Sequence, residues 1–147
     1  FVLAPQCPAG SDWTRAATTA QVERLLAALL EEQPIDPRRI ILTGLSSGGF
    51  MCWHLAARQP SLPAAILPIC GGGNPRTAPL LRSLPIWAFH GDRDPTVDVA
   101  STRTMIAALR ALGATPRYSE YAGAGHAIWD RAYTEPELID WIAAQRR

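Results

Sequence analysis

What the chain has little of narrows its identity first. It contains no lysine and only three cysteines, Cys7, Cys52 and Cys70, an odd number with neither a CxxC pair nor the Cys/His spacing of a zinc site. No disulfide framework and no metal are expected; buried thiols are. Its apolar stretches, of which residues 64–70 are typical, are too short to cross a bilayer and are interrupted by prolines. An excess of one charge is also missing. The 14 basic and 13 acidic residues leave a net charge of +1, which argues against a nucleic-acid partner. The chain opens on Phe1-Val2-Leu3-Ala4-Pro5 with no initiator methionine and no charged leader before an apolar core, so it reads as a piece of something longer. Neither cytoplasm nor secretion is indicated.

What is present suits one domain, residues 1–147, incomplete at its N-terminus: 147 residues, 48% apolar, are enough for a single core. Strand-like runs alternate with helical ones, the pattern of a mostly parallel sheet flanked by helices, an α/β fold. Strands are expected at 1–5, 39–45, 64–69, 86–89 and 118–121. Val22, Leu25, Leu26, Leu29 and Leu30 form an amphipathic helical stripe ending before Pro34. Residues 48–58 suit a helix that ends near Pro60, and Thr102, Met105, Ile106 and Leu109 mark another that ends at Gly113. Thr134-Glu135-Pro136-Glu137 has the form of a capping box opening a last helix that would bury Leu138, Trp141 and Ile142.

The stretch Gly44-Leu45-Ser46-Ser47-Gly48 follows a buried strand and runs straight into a helix. That is the setting of a nucleophile elbow, a sharp strained turn presenting Ser46, with glycines two residues either side where a Cβ would crowd. A phosphate-binding turn is the bland alternative, but no lysine follows to make a P-loop and no GxGxxG is present. A nucleophilic serine needs a base, and the base an acid to orient it. Asp92 and Asp94 lie just past a buried strand, and His126 lies in a glycine-rich loop after the last strand. The order is serine, aspartate, histidine, the α/β-hydrolase order, and each follows its own strand.

The segments "APQCP", "DPRRIILTGLSSGGF", "PIWAFHGDRDPTV", "YSEYAGAGHAIWDRAY" and "PELIDWI" resemble the carboxylesterase and predicted-peptidase branch of the α/β-hydrolase superfamily, related to dienelactone hydrolases and polyhydroxybutyrate depolymerase-like esterases. The resemblance covers essentially the whole chain. It implies Ser46 as nucleophile, His126 as base, Asp94 as orienting acid, a small-molecule ester substrate and no cofactor. Dienelactone hydrolases proper carry cysteine at the elbow, so their particular chemistry is not implied for a serine.

Other residues take lesser parts. Asp92 is an alternative acid, though an Asx hydrogen bond within its turn suits it better. The amide of Ser47, first in the helix, is one expected oxyanion donor. His90 and Trp129 are candidate linings of the substrate pocket, His90 as a packed, hydrogen-bonded histidine on its floor. His54 reads as structural, and Asp130 with Arg131 as a solvated pair. The family's second oxyanion donor comes from an HG-containing turn before the strand that "FVLAP" resembles, and the only HG here is His90-Gly91. The expectation is therefore a gap in the sheet between residues 1–5 and 39–45, half an oxyanion hole, poor solubility and near inactivity of the chain alone.

Overall fold

The computed structural model describes all residues, Phe1–Arg147. The elements run α1 Ala16–Glu32, β1 Ile41–Leu45, α2 Ser47–Arg58, β2 Ala65–Ile69, β3 Trp87–Gly91, α3 Ala100–Ala111, β4 Arg117–Tyr121, α4 Trp129–Tyr133 and α5 Leu138–Ala144, with 3-10 turns at Pro37–Arg39 and Pro75–Leu81. The four strands pair in chain order, all parallel. No helix is long and apolar enough to cross a membrane.

Alternation along the strands builds two cores. Ile66 and Ala88 face one side, where they meet Trp53, Leu81, Met105, Ile106 and Leu109 from α2, the second 3-10 turn and α3. Leu67, Ile69, Trp87 and Phe89 face the other, against Tyr121, Ile128, Ala132 and Leu138. With both faces covered, β2 and β3 are buried at every position, which is why their sequences read as continuous apolar runs. Each large aliphatic side chain so buried contributes about 1.5–3 kcal/mol.

Several sequence expectations are corrected. Residues 1–5 form no strand: Phe1 and Val2 are 84% and 95% exposed, and the sheet begins at β1. A strand exists only by pairing, and no neighbour reaches this segment. The expected gap inside the sheet accordingly does not arise, and β1 is simply one edge. The amphipathic helix expected from the Val22 to Leu30 stripe does form, as α1, ending before Pro34; its fully buried residues are Thr18 and Thr19, one turn earlier than the apolar pattern. Thr19 is held there by its hydroxyl, which donates to the carbonyls of Trp13 and Arg15. The capping box does not form either. Thr134 Oγ1 donates backward to Asp130 O (2.7 Å), ending α4, and α5 starts only at Leu138 without a side-chain cap. The end of α3 is as expected: Gly113 takes a φ of +78° while its N–H donates to Arg110 O and the N–H of Ala114 to Leu109 O.

Candidate active site

Parallel strands bring their C-terminal ends to one edge of the sheet, and this is where a doubly covered sheet gathers functional groups. Leu45 pairs with Ile69, Ile69 with Phe89, and Gly91 with Tyr121, so the segments after β1, β3 and β4 leave from neighbouring points. Those segments carry Ser46, Asp94 and His126.

Ser46 sits between β1 and α2 at φ 53°, ψ −117°, a conformation that costs an L-residue about 1–3 kcal/mol. Its surroundings impose the strain. The N–H of Ser46 donates to Ile69 O (2.8 Å) at the tip of β2, while its own carbonyl already accepts from Phe50 N in the helix. The glycine requirement is one-sided: a Cβ on Gly44 would lie 2.6 Å from the carbonyl carbon of Gly48, whereas a Cβ on Gly48 would meet nothing within 4 Å. Ser47 is the first residue of α2, so its N–H has no partner within the helix and lies at the positive end of the dipole.

Asp94 is held by its own loop. Its Oδ1 accepts from the amides of Thr96 (2.8 Å) and Val97 (2.9 Å), leaving Oδ2 to accept from His126 Nδ1 at 2.7 Å. Burial pushes this carboxyl up, but the bonds from His126, Val97 and Thr96 outweigh it and hold it down to about 2. Asp94 is thus a carboxylate at neutral pH and can only accept. The proton on the short bond therefore sits on Nδ1, and Nε2 of His126 is the basic nitrogen. The imidazole is 21% exposed while the carboxylate is fully buried, a base open to solvent on a sheltered acid.

The structure brings Asp94 and His126 together but does not hydrogen-bond Ser46 to His126: neither Ser46 Oγ nor His126 Nε2 has a partner. Both nevertheless hang on the same strand tip. Ser46 N is bonded to Ile69, and the thiol of Cys70 donates to His126 O (3.5 Å). Cys70 itself takes a φ of +47°, a second strained residue at this edge. Sequence reasoning overlooked it, and its only signal was its place at the end of a buried strand.

The remaining candidates fall as follows. Asp92 Oδ1 accepts from Gly123 N (2.6 Å), so Asp92 ties the loop of Asp94 to the loop of His126 and makes this bond across the site, not the expected Asx bond within its own turn. His90 is the packed, hydrogen-bonded histidine expected, but it lines no open pocket: it is fully buried, on the same side of β3 as Ala88, with its ring under α3. Trp129 is half-buried at the start of α4, three residues past His126, and His54 is half-buried in α2. Arg131 does not pair with Asp130; its guanidinium stacks over Tyr121, 3.9 Å from the ring centre. Cys70, His90 and Asp94 have ligand atoms within 4.8 Å of one another, but burial pushes the thiol up to about 12 and the carboxylate is engaged at both oxygens. A cavity of about 350 Å³ lined by Arg82, Ile86, Ala114 and Trp141 lies at the opposite end of the strands from these groups.

Comparison with known proteins agrees with this fold. The crystal structure of a thermostable esterase superposes with a TM-score of 0.92 and 34% identity over 97% of this chain and 43% of its own. That of esterase PE8 gives 0.72 and 26% identity, over 92% of this chain and 67% of its own. Both place the fold among α/β-hydrolases. A protein of Salmonella typhimurium that carries the name carboxymethylenebutenolidase is 30% identical over 102 residues, 63% of this chain and 38% of its own length. The chain thus spans well under half of the curated relative and of the thermostable esterase. The sequence profile of the dienelactone hydrolase family matches residues 9–138, taking in the elbow, the acid loop and the base loop alike, and the chain belongs to that family.

Proposed function

We propose that this chain supplies the nucleophile, base and acid of a serine esterase acting through an acyl-enzyme intermediate. The observation that carries the reading is the 2.7 Å bond from His126 Nδ1 to Asp94 Oδ2, made across 32 residues at the sheet edge where Ser46 is strained. Membership of the dienelactone hydrolase family and likeness to two esterases support it.

In this mechanism His126 Nε2 removes the Ser46 hydroxyl proton as Oγ attacks the ester carbonyl carbon. Charge collects on the carbonyl oxygen and is received by the Ser47 N–H at the start of α2. As the tetrahedral intermediate collapses, the imidazolium returns its proton to the departing alcohol. Water, deprotonated by the same Nε2, then attacks the acyl-serine; the C–Oγ bond breaks, the imidazolium returns its proton to Ser46 Oγ, and the carboxylic acid product leaves. Asp94 stays ionised throughout, holding the Nδ1–H tautomer and stabilising the imidazolium.

The missing Ser46–His126 hydrogen bond favours a second reading, a non-catalytic α/β domain that keeps the fold and binds a partner. A panel of p-nitrophenyl esters and a peptide anilide, run on the wild type, Ser46→Ala and His126→Ala, separates the two. The esterase reading expects ester turnover that both substitutions abolish. Turnover no higher than background in the wild type would support the non-catalytic domain, turnover unchanged in Ser46→Ala would remove Ser46 as the nucleophile, and preference for the anilide would make the enzyme a peptidase.

A further inference from the structure

His90 is the most completely buried polar ring in the molecule, and the mechanism above makes no use of it. Both of its nitrogens are engaged. Nδ1 lies 2.7 Å from the hydroxyl of Thr102 in α3, which is itself 2.8 Å from Gly71 O. Nε2 lies 3.0 Å from Val97 O and 3.2 Å from Asp94 Oδ2. A backbone carbonyl can only accept, so Nε2 carries a hydrogen whichever way the Thr102 proton points. That hydrogen goes to Val97 O, and the ring nitrogen that bears it lies beside the carboxylate oxygen on which His126 hangs. Asp94 itself accepts from three donors, the amides of Thr96 and Val97 on Oδ1 and the imidazole of His126 on Oδ2.

We propose that His90 is a positioning residue: anchored to α3 through Thr102, its Nε2–H holds Val97, whose amide fixes the rotation of the Asp94 carboxylate, and the positive edge of its ring beside Asp94 Oδ2 tempers the hold of that oxygen on His126. The inference rests on the assignment of Asp94 and His126 as acid and base. Physically, an N–H dipole whose positive end lies close to an acceptor oxygen weakens that oxygen's attraction for a cation. Remove the dipole, and the oxygen binds the charged form of its partner more tightly. The other titratable groups around His90 do not perform this task. Cys70, just past β2, is held as a neutral thiol by burial, and Glu120, opposite His90 on β4, is committed to Arg103 (2.5 and 2.8 Å) and Tyr118 (2.6 Å).

The test is an NMR titration of the His126 ring in the full chain, compared between wild type, His90→Leu and His90→Gln, because it reads the coupling whether or not the chain turns over. Leucine fills the space without a donor; glutamine carries an N–H that reaches the Nε2 position. In His90→Leu the His126 midpoint moves to higher pH, to about tenfold lower proton concentration, and His90→Gln restores it. The acid limb of kcat/KM moves with it, and kcat falls about tenfold at unchanged KM. A purely structural histidine would lower the amount of folded protein at every pH and move no midpoint. Thr102→Val, which cuts the tether at constant volume, shifts His126 the same way by less, and it decides the matter if His90→Leu does not fold. The proposal falls if His126 titrates alike in wild type and His90→Leu, if His90→Gln behaves as His90→Leu does, or if Thr102→Val leaves the midpoint in place. A midpoint that moves as expected in a chain that forms no fluorophosphonate adduct on Ser46 leaves the positioning role intact and overturns the esterase reading instead.

Discussion

Gly91→Ala is the sharpest perturbation the structure offers, because Gly91 is the point where the loops carrying the acid and the base rest on each other. A Cβ built there overlaps the carbonyl oxygens of Ala124 and Gly125 and lies 2.8 Å from the carbonyl carbon of Ala124. Carbon atoms in ordinary contact stand about 3.5 Å apart, so the 124–125 backbone must retreat by roughly 1 Å. The retreat is not shared by the acid. Asp94 N is bonded to Gly91 O (3.3 Å) and stays with β3, while His126 travels with its loop. A displacement of this size opens the 2.7 Å bond between them and breaks the bond from Arg93 N to Ala124 O. Misplacing a reacting group by about 1 Å costs on the order of 10² in rate, and overpacking of this kind costs about 1–3 kcal/mol in stability, so the variant should fold and be nearly inactive. Gly125→Ala is the control. It precedes His126 directly, has a φ outside the left-handed region, and would place its Cβ only against Pro95 Cδ at 3.9 Å. Ester hydrolysis and melting temperature measured on both variants test the reasoning. About a hundredfold loss in Gly91→Ala with Gly125→Ala within threefold of wild type is expected; equal activities, or equal losses, would refute it.

Ser46→Gly removes the alcohol and also the strain at φ 53°. It should raise the melting temperature by roughly 2–4 °C, the net of about 1–3 kcal/mol released and up to about 1 kcal/mol of glycine entropy, and calorimetry showing a lower one would contradict the strained elbow. Asp94 is held at about 2, below the ordinary 3.8, so it contributes roughly 2 kcal/mol of stability that is fully present above about pH 4 and is lost as pH falls from there toward 2. Denaturant unfolding of wild type and Asp94→Asn should show this acid step in the wild type alone, and parallel curves would count against it. Burial pushes Cys52 and Cys70 up to about 12, whereas Cys7 is half-buried on the surface. Iodoacetamide on the native chain should therefore modify Cys7 and spare the other two until denaturant is added, as peptide mapping will show.

How much of this was legible in the sequence depended on whether the cause was local. β2 and β3 were readable because burial on both faces leaves an uninterrupted apolar run, and the end of α3 because Gly113 supplies a conformation that few other residues take. The acid and base loops were readable because each chemical residue follows a strand, and parallel strands deliver their ends to one edge. Residues 1–5 have the composition of a strand, but pairing is a property of two segments and one segment cannot report it. Thr134 fits a capping box as well as it fits the end of the preceding helix, and only the position of Asp130 in space decides between them. His90 is packed and hydrogen-bonded as its sequence position suggested, but it lines no open pocket: it shares the parity of Ile86 and Ala88, so its side chain points toward the helix-covered core.

The central claim is that Ser46 is an activated alcohol served by His126. The measurement closest to it is the rate at which a fluorophosphonate modifies the native chain, with the adduct located by peptide mass. The account predicts one adduct, on Ser46, formed faster as the imidazole loses its proton and abolished in His126→Ala. No adduct on Ser46, or one that forms as fast without His126, would contradict it.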